Sequence, residues 1–192
     1  MSEPLRQATK VMVIRHAEKP ATDHSPYGVT LKGAINKESL TPRGWQRAGA
    51  LANLFAPANG LFQNPSLAEP RFLYASRYIK HKGSRRPIET LMPLAEKLAV
   101  SINSNFPRFE LVGMLEAALL CRGAVLICWQ REYLPRIADH ILGNKTVAPR
   151  HWPEERFDVV WVFDRDPSSA GGYGFKQVPQ RLLAGDWLTP IN

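Results

Sequence analysis

The sequence predicts an α/β fold, a three-layer α/β/α sandwich around a mostly parallel sheet. Three observations carry this expectation. Short apolar runs of strand length alternate with segments whose apolar residues recur at helical spacing. Strands that alternate with helices pair in parallel and are covered on both faces. The 192 residues contain no internal repeat and no linker-like stretch, so one domain over 1–192 is expected, with residues 1–9 as a flexible tail.

The elements follow in chain order. Residues 10–15 are a run of β-formers and read as a buried strand. The polar segment 18–39, rich in Gly, Pro and Asp, is longer than a typical connection, which marks functional or mobile loops. Thr41-Pro42 starts a helix, a hydroxyl N-cap followed by proline at the first helical position. Trp45, Ala48, Ala52 and Phe55 share one face of that helix, which ends before Pro57. Residues 71–75 form a second strand. Residues 86–98 carry Ile88, Leu91, Leu94 and Leu98 at roughly helical spacing, but Pro93 predicts a kink or two short helices. A short strand over 100–103 and a helix over 109–120 come next. Residues 123–129 are the clearest buried strand. Leu134, Ile137, Ala138, Ile141 and Leu142 make an amphipathic helix that Gly143 ends. Residues 158–164 form another strand, and 173–178 an edge strand.

Composition narrows the function. Apolar residues at 44% and charged residues at 22% are the balance of a soluble globular protein. Cys121 and Cys128 give neither a disulfide framework nor a zinc spacing, and read as core residues in a reducing compartment. The N-terminus lacks a secretory apolar stretch, and the longest apolar runs, 124–129 and 159–163, are far too short to span a membrane. A cytoplasmic protein without membrane partners is expected. The net charge of +8 points to anionic partners. Arg77, Lys80, His81, Lys82, Arg85 and Arg86 concentrate charge in one segment, of which Lys80 and Lys82 read as solvated. No aromatic ladder accompanies them, so nucleic acid is the weaker reading.

In parallel sheets ligands gather at the carboxyl ends of strands. That directs attention to Arg15-His16, Ser76-Arg77, 129–131 and Asp164. A neutral imidazole accepts a phosphoryl group, and guanidinium matches phosphate geometry. Neighbouring cations disfavour the imidazolium, which keeps the lone pair available. Gly171-Gly172-Tyr173-Gly174 opens no helix and reads as a turn, and neither a GxxxxGK[ST] loop nor a Gly-x-Ser-x-Gly elbow is present.

Arg15-His16-Ala17-Glu18-Lys19-Pro20 resembles the Arg-His-Gly/Ala signature of the histidine phosphatase superfamily, in its phosphoglycerate-mutase-like branch. Leu40-Thr41-Pro42-Arg43-Gly44-Trp45-Gln46-Arg47-Ala48 is similar to the family's Leu-Thr-x-x-Gly-x-x-Gln-Ala helix start. Tyr74-Ala75-Ser76 with Arg86-Pro87-Ile88-Glu89-Thr90 resembles its Ser…Arg-x-x-x-Thr segment, with extra residues between the parts. Val125-Leu126-Ile127-Cys128-Trp129 resembles the strand leading to its second active-site histidine. The resemblance covers about residues 10–142.

It implies a phosphoglycerate-mutase-like fold and hydrolysis of phosphate monoesters through phospho-His16, with no metal or cofactor. Arg15 and Arg86 would grip the phosphoryl oxygens, and Lys19 would touch the leaving group or sit in the mouth. The partner would be a small phosphorylated substrate or inorganic phosphate. Arg131 stands where the second histidine is expected; it binds phosphate but cannot shuttle a proton at neutral pH. The alternatives are a slowed phosphatase or a regulatory, phosphate-binding pseudophosphatase. Glu18, Glu110 and Glu116 are the candidate general acids, none assigned. His140 and His151, conceivable substitutes for the second histidine, read as structural or exposed.

Overall fold

In a computed structural model, residues 6–21, 24–80, 83–169 and 171–192 are described. Six strands form one sheet: β1 (Ala8–Arg15), β2 (Phe72–Ala75), β3 (Ile102–Asn103), β4 (Gly123–Trp129), β5 (Val159–Arg165) and β6 (Tyr173–Pro179). Their order is β3-β2-β4-β1-β5-β6. β3, β2, β4 and β1 are mutually parallel, β5 runs against β1, and β6 runs against β5.

Successive side chains of a strand face opposite ways, and both faces of this sheet are covered. Val11 and Val13 of β1 and Val125, Ile127 and Trp129 of β4 enter one core, with α3 (Leu111–Leu119) and α4 (Leu134–Leu142). Met12, Ile14, Leu126 and Cys128 enter the other, with α1 (Pro42–Phe55) and α2 (Arg86–Leu98). Burial on both sides explains why β1 and β4 are continuous apolar runs rather than alternating ones. The three-layer architecture expected from the sequence is the one present.

Local chemistry sets the element ends. Thr41 caps α1, its Oγ1 accepting from Gly44 N at 3.2 Å, with Pro42 as the first helical residue. Gly143 adopts a left-handed φ of 68° and closes α4. Gly172, at φ 75°, makes the turn into β6. No helix among the described residues is long and apolar enough to cross a membrane.

Three expectations are corrected. Of the two outcomes expected at Pro93, two short helices are not found: α2 runs as one helix over Arg86–Leu98, with Leu91 and Leu94 on either side of the proline buried in the core. Ala8 and Thr9 belong to β1, and Arg6 Nη1 donates to the carbonyls of Ile141 and Gly171, so residues 6–9 are not a tail; residues 1–5 lie outside the described residues. Asp164 is not near Arg15. It pairs with Lys10 at the start of β1, because β5 is antiparallel and its carboxyl end lies at the opposite sheet edge.

Candidate active site

Arg15 ends β1, and His16 follows it. Arg15 pairs with Trp129 in the β1–β4 ladder, and the His16 amide donates to the Trp129 carbonyl at 3.1 Å. One residue past the ladder therefore stand His16 on one strand and Gln130 on the other. Ser76 follows β2, whose Ala75 is level with Cys128 of β4. His16, Gln130 and Ser76 thus leave three adjacent parallel strands at one edge, and all three are buried.

His16 is held in one orientation. Its Nδ1 lies 2.8 Å from the Ala17 carbonyl, which can only accept, so Nδ1 carries the proton and Nε2 keeps its lone pair. Burial and then the Arg15 charge push its pKa down to about 3; the Ala17 hydrogen bond opposes this, and Arg86 and Lys19 add to it. The imidazole is neutral across the physiological range. The turn after β1 is fastened to α2: the Ala17 amide donates to Thr90 Oγ1 at 2.9 Å, and that hydroxyl donates to the Arg86 carbonyl at 2.7 Å.

Arg15 is clamped by the loop before β5. Its Nη1 donates to the carbonyls of Pro153, Glu154 and Arg156, and its guanidinium lies 3.8 Å from the centre of the Phe157 ring. Burial and the nearby Arg131 lower its pKa to about 10, against the pull of Glu154, Glu132 and Glu18, so it stays charged at neutral pH. Arg86 has its Nε on the Ser39 carbonyl at 3.3 Å and Nη2 on that of Lys37 at 2.7 Å. These two nitrogens hold the end of the long loop, while the charge of the guanidinium reaches His16. Glu89 completes that clasp, accepting from Ser39 Oγ at 2.8 Å and the Leu40 amide at 2.9 Å.

Arg131 and Lys19 form the rim. Arg131 starts a short 3₁₀ turn (Arg131–Tyr133), one residue beyond the position next to His16. Glu154 Oε1 lies 3.5 Å from Arg131 Nη2 and 3.1 Å from Lys19 Nζ. Lys19 first, then Arg131, hold this carboxyl below its usual range. Arg131 also borders a cleft of about 300 Å³ with His151 and Trp152. A larger cleft of about 450 Å³, between Trp45, Tyr78, Arg85 and Met92, is lined by none of the strand-end residues.

The candidate acids are not poised to donate. Glu18 is paired with Arg47 at 2.8 Å and Arg43 at 3.4 Å, and Glu110 and Glu116 are exposed on and beside α3. His140 is half-buried on α4 and His151 is exposed. Of the basic segment, Arg77 and Lys80 are exposed, and His81 and Lys82 lie outside the described residues. Among the described residues no group of three or more His, Cys, Asp or Glu side chains is placed to hold a metal ion. Sequence reasoning passed over Gln130, Glu154 and Phe157. Only Gln130 carried a signal, its place inside a strand-end segment.

No protein-family model and no curated protein matches the sequence. Solved structures do. A phosphoserine phosphatase mutant from Entamoeba histolytica, in complex with phosphoserine, superposes with a TM-score of 0.55 at 11% identity, over 92% of this chain and 100% of that one. SixA from Agrobacterium tumefaciens gives 0.54 at 14%, over 88% and 96%. The protein histidine phosphatase SixA complexed with tungstate gives 0.53 at 13%, over 89% and 97%. At such identities the likeness is one of architecture, and that architecture is the phosphoglycerate-mutase-like fold of the histidine phosphatase superfamily.

Proposed function

We propose that the protein is a phosphatase that hydrolyses small or peptide-linked phosphate monoesters through a phosphohistidine on His16. One observation carries this reading: a buried imidazole at the end of β1 whose Nδ1 is tied to the Ala17 carbonyl, which leaves the lone pair on Nε2, while burial and the charges of Arg15, Arg86 and Lys19 disfavour its protonation. Nε2 attacks phosphorus, the bond to the ester oxygen breaks, and the leaving oxygen takes a proton from solvent or a rim group. Water then cleaves the P–N bond, releasing orthophosphate and restoring His16. Arg15 and Arg86 stabilise the equatorial oxygens, Arg131 and Lys19 draw the anion into the mouth, and no step calls for a metal.

The test is to quench a reaction with p-nitrophenyl phosphate into alkali and map the protein by mass spectrometry. A phosphoryl adduct on the His16 peptide, with release of nitrophenol that EDTA does not slow, is the expected result. Turnover without an adduct on that peptide rules the mechanism out.

A second reading, a phosphate-binding pseudophosphatase, is favoured by one observation. Glu18 and Glu154 are both held by arginine or lysine, and Arg131 cannot give up a proton. Arg131→His separates the two. A gain of about tenfold or more in rate is expected if the arginine only slows the phosphatase. Phosphate binding without turnover in both proteins would favour the pseudophosphatase.

A further inference from the structure

One carboxylate ties together the two segments that carry the rim cations. Lys19 lies on the segment that leaves β1, Arg131 on the one that leaves β4, and Glu154 in the loop before β5. Glu154 Oε1 is 3.1 Å from Lys19 Nζ and 3.5 Å from Arg131 Nη2, so a single oxygen joins both. Each cation is felt in the site: Lys19 disfavours protonation of His16, and Arg131 disfavours the charged form of Arg15. Glu154 acts against Arg131 there and favours the Arg15 charge.

Backbone and side chain of this residue are held differently. The Glu154 carbonyl, with those of Pro153 and Arg156, accepts from Arg15 Nη1, which fastens the loop. The side chain is 62% exposed. Ion pairs so exposed are worth little, because water screens them and long side chains must be ordered to form them. The carboxylate can therefore turn to solvent at small cost while the loop stays on Arg15. For lysine and guanidinium it is the same kind of partner as a phosphoryl oxygen, an anionic acceptor. While it sits on them, the two cations attract another anion less.

Building on the phosphatase reading, we propose that Glu154 is an internal competitor of the substrate: its carboxylate occupies Lys19 and Arg131 in the free protein, and a phosphate ester must displace it. The exchange is anion for anion. Lys19 and Arg131 turn to the ester, Glu154 turns to solvent, and the Arg15 clamp stays in place. The device is an attenuator and not a lock, since breaking pairs this exposed costs only a few-fold in affinity. It weakens the hold on orthophosphate, the product, by the same means.

Calorimetry with orthophosphate at low ionic strength and about pH 7.5, above the second phosphate ionisation near 6, tests this. Wild type is compared with Glu154→Gln, Lys19→Met and the double variant. Glutamine keeps the size of the side chain and removes its charge, and is expected to tighten binding about three- to tenfold. In the Lys19→Met background the gain should be smaller, because one of the two pairs is already gone. Binding by Glu154→Gln no tighter than wild type overturns the proposal and leaves the phosphate site standing; the carboxylate then orders the two cations instead of competing for them. An equal gain in both backgrounds also overturns it, since that reports charge acting at a distance and not a shared partner. If neither wild type nor Glu154→Gln binds orthophosphate, the phosphatase reading falls with it.

Discussion

Replacing His16 with asparagine is expected to end turnover and, at acid pH, to strengthen the fold. Asparagine places an amide N–H near the position of Nδ1, so the bond to the Ala17 carbonyl survives, but the nucleophilic Nε2 is gone. The rate with an aryl phosphate is expected to drop by about a thousandfold or more, as for loss of other covalent nucleophiles. The stability effect follows from linkage. The unfolded chain protonates a histidine near 6.5, whereas burial beside Arg15 keeps folded His16 neutral down to about 3. Between those values the unfolded state binds the additional proton. The folded state is thus fully stable, as far as this residue is concerned, above 6.5 and loses stability as pH falls toward 3. The slope from this one group reaches about 1.4 kcal/mol per pH unit. Urea midpoints measured from pH 7.5 down to about 4.5 should decline more gently in the variant than in wild type. Parallel declines would mean that His16 is protonated in the folded protein. The same depression gives a kinetic signature: an acid limb in kcat/KM near pH 6 belongs to the substrate's second phosphate ionisation and not to His16.

How much of this was legible in the sequence depended on whether the signal was local. β4 was read to the residue, and α4 with its Gly143 cap, because a run of apolar residues or an i, i+3, i+4 stripe is written in adjacent positions. The same holds for the Thr41 cap. Pro93 misled because proline's local cost was weighed without the burial of Leu91 and Leu94, which holds the helix together around it. Asp164 misled because the carboxyl-end rule needs a strand's direction, and direction is a property of the sheet. The site divides the same way. Arg15 and His16 were found by a motif and a strand end. The register that sets Gln130 beside His16, with Arg131 one step out on the rim, is a relation between residues 114 positions apart and appears only once the two strands pair. Glu154 and Phe157, which brace Arg15, lie in a loop without periodicity, and nothing local marks them.

Arg47 is the plainest case of a residue hidden by its own helix, and removing it is expected to be the costliest single change away from the site. It lies on the buried face of α1, four residues before Leu51, where pattern reading expects an apolar side chain. It is 2% exposed, and its guanidinium is fully engaged. Nε and Nη2 donate to Glu18, Nη1 and Nη2 to Asp186 at 3.1 and 2.7 Å, and Nη1 to Gln180 at 3.0 Å. Arg47→Met keeps much of the volume and strands two carboxylates, one of them almost wholly buried. Breaking a buried pair in this way costs about 3–5 kcal/mol, a large part of a typical domain's stability. Burial by itself would raise the Asp186 carboxyl, but hydrogen bonds from Arg47 and the amides of Leu183 and Leu182 hold it below the ordinary range. Its contribution is therefore present above that range and lost as pH falls through it, so the gap between wild type and variant should narrow on acidification. Adding Asp186→Asn to the variant should recover part of the loss at neutral pH, since the stranded charge is removed. The consequence reaches the site, because the Glu18 carbonyl takes the Thr41 amide at 3.0 Å and the next residue is Lys19. Freed from Arg47, Glu18 no longer anchors the turn beyond His16, and KM for an aryl phosphate should rise even where the variant is folded. A denaturation midpoint within about 1 kcal/mol of wild type would show that water or Arg43 takes over the two carboxylates.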